Sequence, residues 1–122
     1  MGEYRFSVDH KTKLVKCVMS GKFDNVEFED LCEAIISEAK KFKRGEVLYL
    51  RDAANVEMKF FSPSQAKLYE ETGKFLGTYC KKTAGIIPSF MYQKTIESAL
   101  HGDINPNIFA TEQEAMKFLL ES

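Results

Sequence analysis

The chain has 122 residues, of which 44% are hydrophobic and 29% charged, and its formal net charge is -1. This length and composition predict one globular domain, residues 1–122, with its own hydrophobic core. The small net charge gives no electrostatic basis for binding nucleic acid, and no apolar run approaches the roughly 20 residues of a membrane span. The 3 cysteines are widely spaced without a CxxC pair, which argues against a disulfide framework or a zinc site and indicates a cytoplasmic protein.

The first two predicted elements form a β-hairpin. Apolar and polar residues alternate over residues 4–8 and again over 14–20, with a polar turn between them. This alternation is the period of a half-buried strand, and two strands so close in sequence pair antiparallel. Gly21 is expected to end the hairpin.

Helical and strand patterns then alternate along the chain. A helix capped by Asp24 or Asn25 precedes the uninterrupted apolar run of residues 47–50, which predicts a central strand covered on both faces. A second helix begins at Ser62, a good N-cap that is followed by proline and by the glutamine of a capping box. This helix is expected to run to about Cys80.

The last third of the chain continues the alternation. It predicts a strand at 84–87, a third helix from Ser89 to Leu100, a strand at 107–109 and a final helix that begins after Thr111. Strands that alternate with helices run parallel through right-handed crossovers. The predicted fold is therefore α/β, with a mixed sheet of about five strands, an N-terminal antiparallel hairpin and four helices.

Candidate functional residues lie between the central strand and the second helix, where open α/β sheets commonly bind ligands. Arg51 and Asp52 are expected at the end of the strand, as binding residues or as an ion pair, and Asn55 in the following turn. Ser62 and Ser64 lie at the helix start, where free N–H groups and the dipole favour a phosphate. Ser62 also has a sufficient structural role as a cap.

The loop before the second helix carries three apolar side chains, Met58, Phe60 and Phe61. They either pack under the helix as a hydrophobic staple or line a pocket or an exposed patch for a partner. The sequence leaves both alternatives open.

No catalytic constellation is visible in the sequence. The two histidines have no cysteine, serine or second histidine at ligand spacing, so we predict no catalytic residue, no metal and no cofactor. An enzymatic alternative requires a shared cleft and a perturbed carboxylate. Its candidate residues are Arg51, Asp52 and either Tyr69 or Tyr92.

Several segments resemble the STAS domains of bacterial anti-sigma-factor antagonists. They are the hairpin, GKFDNVEFEDLCEAI at 21–35, VLYLRD at 47–52 and IFATEQEAMKFL at 108–119. The likeness is greater to the SpoIIAA-like branch of STAS/SEC14-type proteins, whose chains often end with a strand and a Thr-x-Glu-Glu-Ala-x-x-x-Leu helix. The resemblance covers nearly the whole chain in element order and implies a single STAS/SpoIIAA-like domain with helices mainly on one face of the sheet.

The resemblance also implies a function. Anti-sigma-factor antagonists are switched by phosphorylation of a serine in an Asp-Ser motif that opens the helix after the central strand. Here Phe61, Ser62, Pro63 and Ser64 occupy that place, without the preceding aspartate or the usual following glycine. The usual phospho-switch is therefore not predicted, and only Ser62 or Ser64 could inherit it.

The leading hypothesis is a non-enzymatic regulatory domain that binds proteins. Its partner would be a regulatory kinase, an anti-sigma-like protein or a second copy in a homodimer. The alternative, implied by the SEC14-like relatives, is a carrier or sensor that binds a lipid or another apolar small molecule between helices and sheet. The 10 Phe, 5 Tyr and 5 Met residues could line such a pocket, although cores use the same residues.

Overall fold

The computed structural model describes residues 1–57, 62–87 and 107–121, which form five strands and three helices. In chain order these are β1 (Glu3–Asp9), β2 (Leu14–Gly21), α1 (Asn25–Ala39), β3 (Leu48–Val56), α2 (Pro63–Tyr79), β4 (Lys82–Ile86), β5 (Ile108–Phe109) and α3 (Glu112–Leu120). The described part of the chain therefore has three of the four predicted helices. The helix predicted at 89–100 lies outside the described residues.

The strands form one mixed sheet in the order β1-β2-β3-β4-β5. β1 and β2 pair antiparallel, and β3, β4 and β5 each join parallel to the preceding strand. The predicted hairpin and mixed sheet are confirmed. None of the described helices is long and apolar enough to cross a membrane.

β3 is longer than the apolar run that predicted it. It continues to Val56, with Asn55 opposite Ser20 and Val56 opposite Gly21 on β2. The prediction that Asn55 lies in a turn, and that Arg51 and Asp52 end the strand, was therefore wrong. Pairing with the full length of β2 outweighs the low strand propensity of Ala, Asn and Asp, because strand preference depends mainly on tertiary context.

Helices cover both faces of the central strands. α1 and α2 pack on one face and α3 packs on the other, so successive residues of β3 enter different cores. We call these the α1/α2 face and the α3 face. On β3, Tyr49 and Ala53 belong to the α1/α2 face, whereas Leu48 and Leu50 belong to the α3 face. This two-sided burial explains why residues 47–50 are all apolar.

Candidate functional site

The start of α2 is a complete capping box. Ser62 has an extended backbone, and its Oγ accepts a hydrogen bond from Gln65 N at 3.2 Å. In return, Gln65 Oε1 accepts a hydrogen bond from Ser62 N at 3.0 Å. Pro63 occupies the first helical position, where its missing N–H leaves no bond unmade. The predicted helix start is confirmed.

The start of α2 lies against the start of α1. Ser62 Oγ donates a hydrogen bond to Asn25 Oδ1 at 2.8 Å, and Asn25 is the first residue of α1. The side chain of Gln65 is buried, and its Nε2 donates to the backbone oxygen of Phe23 at 2.8 Å. Two helix N-termini with their partial positive charges are therefore adjacent at the edge where β2 and β3 end. We call Asn25, Ser62, Ser64 and Gln65 the helix-start junction.

The α1 end of the junction has its own acidic cap. Asp24 caps α1 by accepting from Glu27 N at 2.7 Å, and Glu27 Oε1 accepts from Asp24 N at 3.0 Å. Of the two predicted caps, Asp24 is thus the one used, and Asn25 is free to contact α2. Only one of the two N-termini already has a carboxylate beside it; the first turn of α2 contains no acidic residue.

The two serines of the junction differ in accessibility. Ser62 is half-buried, and its hydroxyl both accepts from Gln65 and donates to Asn25. Ser64 is exposed, and its Oγ lies 3.2 Å from Ser62 Oγ. Ser62 therefore has a structural role that uses its hydroxyl fully. Because Ser62 gives its one hydrogen to Asn25, Ser64 is the donor in the contact between the two hydroxyls, and its side chain is exposed to solvent.

Arg51 lies on the α1/α2 face, away from the junction's surface. Its guanidinium carbon is 4.8 Å from the centroid of the Tyr69 ring on α2, and Arg51 pairs with Gly85 across β3 and β4. A side chain at position 85 would approach the guanidinium, since a Cβ there would be 3.1 Å from Arg51 Nη2. The guanidinium is thus enclosed between a glycine and an aromatic ring.

No described carboxylate forms an ion pair with this guanidinium. Arg51 Nε is buried and has no hydrogen-bond partner among the described residues. Burial acts to lower the pKa of Arg51, but the nearby hydroxyls of Tyr69 and Tyr49 outweigh it and leave the pKa raised, so the side chain stays charged. The charged guanidinium is therefore accommodated by Tyr69 and Tyr49 rather than by a described carboxylate.

The structure separates the other predicted residues of β3. Asp52 points to the opposite face from Arg51, and its Oδ1 accepts from Ala54 N at 3.2 Å, so the two do not form the expected strand-end ion pair. Asn55 is exposed in the strand. Met58, Phe60 and Phe61 lie outside the described residues, and the choice between a staple and an exposed patch stays a prediction.

The candidates for catalysis do not share a cleft in the part of the chain that is described. Tyr69 stacks on Arg51, but Asp52 lies on the other side of the sheet, and Tyr92 is outside the described residues. All three cysteines are buried and free, and burial raises the pKa of the Cys17 thiol to about 12. No group of three or more His, Cys, Asp or Glu among the described residues could hold a metal ion.

Two open depressions mark the described surface. One, of about 410 Å³, runs along the outside of α1 beside Ile36 and Lys40, and the other, of about 420 Å³, lies beside Met1 and Phe23. Neither of these depressions lies between the helices and the sheet, where the carrier hypothesis places its ligand.

Three residues of this region were not predicted in their observed roles. They are Asn25 as the partner of Ser62, Gln65 as a buried link to Phe23, and Tyr69 as the cover of Arg51. The capping-box pattern did identify Gln65, but it gives only the local bond. Contacts between residues that are far apart in the chain produce no periodic or local pattern that a single sequence could reveal.

Comparison with known proteins identifies the fold. No family model matches the chain, and no curated protein matches it in sequence. Among solved structures, an uncharacterized protein of the DUF3478 family with a SpoIIAA-like fold, from Shewanella loihica PV-4, is 16% identical with a TM-score of 0.68; the match covers 98% of this chain and 95% of that one.

Two anti-sigma-factor antagonists also match over nearly their full length. One, from Mycobacterium paratuberculosis, is 16% identical with a TM-score of 0.63, over 96% of this chain and 94% of that one. The other, SpoIIAA in its unphosphorylated form, is 18% identical with a TM-score of 0.64, over 95% of both chains. At these identities the likeness is one of fold. The chain has the SpoIIAA-like, STAS-type fold that its sequence resembles.

Proposed function

We propose that this protein is a non-enzymatic regulatory domain that binds a protein partner through the helix-start junction. Two of its structural neighbours are anti-sigma-factor antagonists, which makes a regulatory protein such as a kinase or an anti-sigma-like protein the expected partner class. The observation that carries the proposal is the exposed hydroxyl of Ser64 beside two adjacent helix N-termini. A partner surface there would meet polar groups held in fixed positions by α1 and α2.

Within the junction, Ser64 is the residue that we assign to regulation. Phosphorylation of Ser62 would remove the hydrogen that it donates to Asn25 and would disturb the cap of α2. Phosphorylation of Ser64 would add about two negative charges to the first turn of a helix without acidic residues, where the dipole stabilises them. Ser64 can therefore change the charge of the surface while Ser62 preserves its shape.

The proposal is tested by site-specific photo-crosslinking in the cells that make the protein. A crosslinking residue at Ser64 should capture one protein that the same residue at Lys117, exposed on the other side of the sheet, does not capture. Binding of that purified protein should weaken at least about tenfold, or about 1.4 kcal/mol, in Ser64→Asp and stay unchanged in Ser64→Ala. Equal capture at both positions, or no effect of Ser64→Asp, would contradict the proposal.

Native mass spectrometry of the chain purified from the same cells separates the two functional hypotheses. A phosphate increment that maps to Ser64 supports the regulatory domain. An extractable non-covalent adduct of lipid mass, present at one molecule per chain, supports the apolar-ligand carrier instead.

A further inference from the structure

β1 is a long exposed edge of the sheet. It pairs with β2 along Glu3–Asp9, and no other described strand lies beside it in the sheet order. The opposite edge, β5, has only two residues. An unpaired strand edge presents free N–H and C=O groups that can accept a further strand, unless charge or shape prevents the pairing.

The two rows of side chains on β1 have different chemistry. Tyr4, Phe6 and Val8 pair with residues of the α1/α2 face of β2 and form an apolar row in which the Tyr4 and Phe6 rings contact edge to face. The other row contains charged and small polar residues and points to the other side of the sheet. Its members are Glu3, Arg5, Ser7 and Asp9.

We infer that β1 binds β1 of a second copy of the chain, antiparallel, with the two-fold axis at Ser7. In this register Arg5 of each copy lies opposite Asp9 of the other, so two ion pairs flank the axis. On the reverse side Phe6 lies opposite Val8 of the second copy, which extends the apolar row across the interface. Opposite charges and aromatic–aliphatic pairs directly across a strand pair are both stabilising.

The neighbouring registers lack this complementarity. Shifting the axis to Phe6 places Glu3 opposite Asp9, and shifting it to Arg5 places the two Arg5 side chains opposite each other. Moving the two-fold axis by one residue shifts the pairing of the two strands by two residues. Because side chains alternate between faces with a period of two residues, only such shifts keep the apolar row on its own face. Like charges directly opposite are destabilising, so charge selects the axis at Ser7.

Both members of the proposed ion pair are accessible. Arg5 and Asp9 are exposed, and the backbone groups that Asp9 binds, Lys11 N at 2.9 Å and Thr12 N at 3.4 Å, both contact its Oδ1. No described backbone N–H donates to its Oδ2, which is the oxygen that the proposal assigns to Arg5 of the second copy. These backbone bonds lower the pKa of Asp9, which keeps its carboxylate charged.

A cysteine at the two-fold axis tests the arrangement directly. Ser7→Cys should form a disulfide-linked dimer under mild oxidation, since the two Cα atoms would be about 4.5 to 5.5 Å apart, within disulfide range. Glu3→Cys is the matched control, because it lies on the same row but roughly 26 Å from its counterpart in this register. The native cysteines are buried and should not compete.

Reversing the charge of Arg5 provides the second test of the arrangement. In the Ser7→Cys background, Arg5→Asp should slow crosslinking at least about tenfold, and sedimentation equilibrium should show the same loss of dimer without the cysteine. Lys67→Asp, an equal change of charge on the exposed side of α2, should leave both measurements unchanged. Crosslinking of Ser7→Cys no faster than that of Glu3→Cys, or insensitivity to Arg5→Asp, would overturn the proposal. Arg5 and Ser7, the two positions changed, are not part of the helix-start junction, so neither result depends on partner binding through Ser64.

Discussion

The two faces of the sheet bury different chemistry. The buried residues of the α3 face are all aliphatic, and polar groups such as the Lys16–Glu112 ion pair remain near its margin. The α1/α2 face buries a larger mixed set. Its polar or ionisable members are Cys17, Cys32, Cys80, Tyr49, Thr72 and Gln65, and the half-buried Arg51 lies beside them with its Nε buried.

If the helix-start junction binds the partner as proposed, this difference separates the face that only stabilises the fold from the face that also carries the site. A purely aliphatic core stabilises the fold in proportion to the area it buries. Polar groups in a core reduce that gain unless each is hydrogen-bonded. Gln65 is hydrogen-bonded, whereas Arg51 Nε has no partner in the described part of the chain. The α1/α2 face, which contains these polar groups, is also the face whose helices form the helix-start junction.

The largest expected effect on stability comes from a substitution on the α3 face. Leu50 is fully buried against α3, and Leu50→Ala should lower the free energy of unfolding by about 2 to 5 kcal/mol through lost burial and a cavity. Chemical denaturation measures this change. Leu120→Ala, at an exposed position on α3, is the control and should change stability by less than about 0.5 kcal/mol. A small effect at Leu50 would mean that the α3 face is loosely packed.

The buried thiol of Cys17 on the α1/α2 face should make the free energy of unfolding depend on pH. Burial raises the pKa of the Cys17 thiol from its ordinary 9.0 to about 12, so above pH 9 the unfolded chain loses a proton that the folded chain keeps. Stability should therefore fall as pH rises through this window. Between pH 8 and pH 10 the wild type should lose about 1.4 kcal/mol more than Cys17→Ala.

The Cys17 comparison uses urea denaturation of both proteins at each pH. Cys17→Ala changes the packing equally at all pH values, so only the difference in slope reports the thiol. Parallel pH profiles for the two proteins would show that Cys17 ionises as easily in the folded chain as in the unfolded chain.

The smallest expected effect is at Arg51. Arg51→Met should change the free energy of unfolding by less than about 1 kcal/mol, because the lost contact with Tyr69 and the removal of an unpaired buried donor offset each other. Arg51→Ala should be more destabilising, since it also removes the packing of the side chain. Thermal and urea denaturation measure both. A loss of more than about 2 kcal/mol in Arg51→Met would show that the cation stabilises the α1/α2 face.

Local signals in the sequence predicted most of the fold. Alternation identified the hairpin, an unbroken apolar run identified the central strand, and the capping box located the start of α2 at Ser62. The resemblance of short segments to STAS domains agreed with the structural matches. Each of these signals reflects interactions within a few residues or a side-chain period, which a single sequence records directly.

The sequence by itself therefore determined the order of the strands and of the described helices, the caps of α2 and α3, and the serines at the start of α2. Only the tertiary structure decided that β3 continues to Val56, that Arg51 lies under Tyr69, and that Ser62 donates to Asn25. Strand length depends on the neighbouring strand, and the last two contacts join residues distant in sequence. Their energies come from groups that meet only when the sheet has formed and α1 and α2 have packed on it.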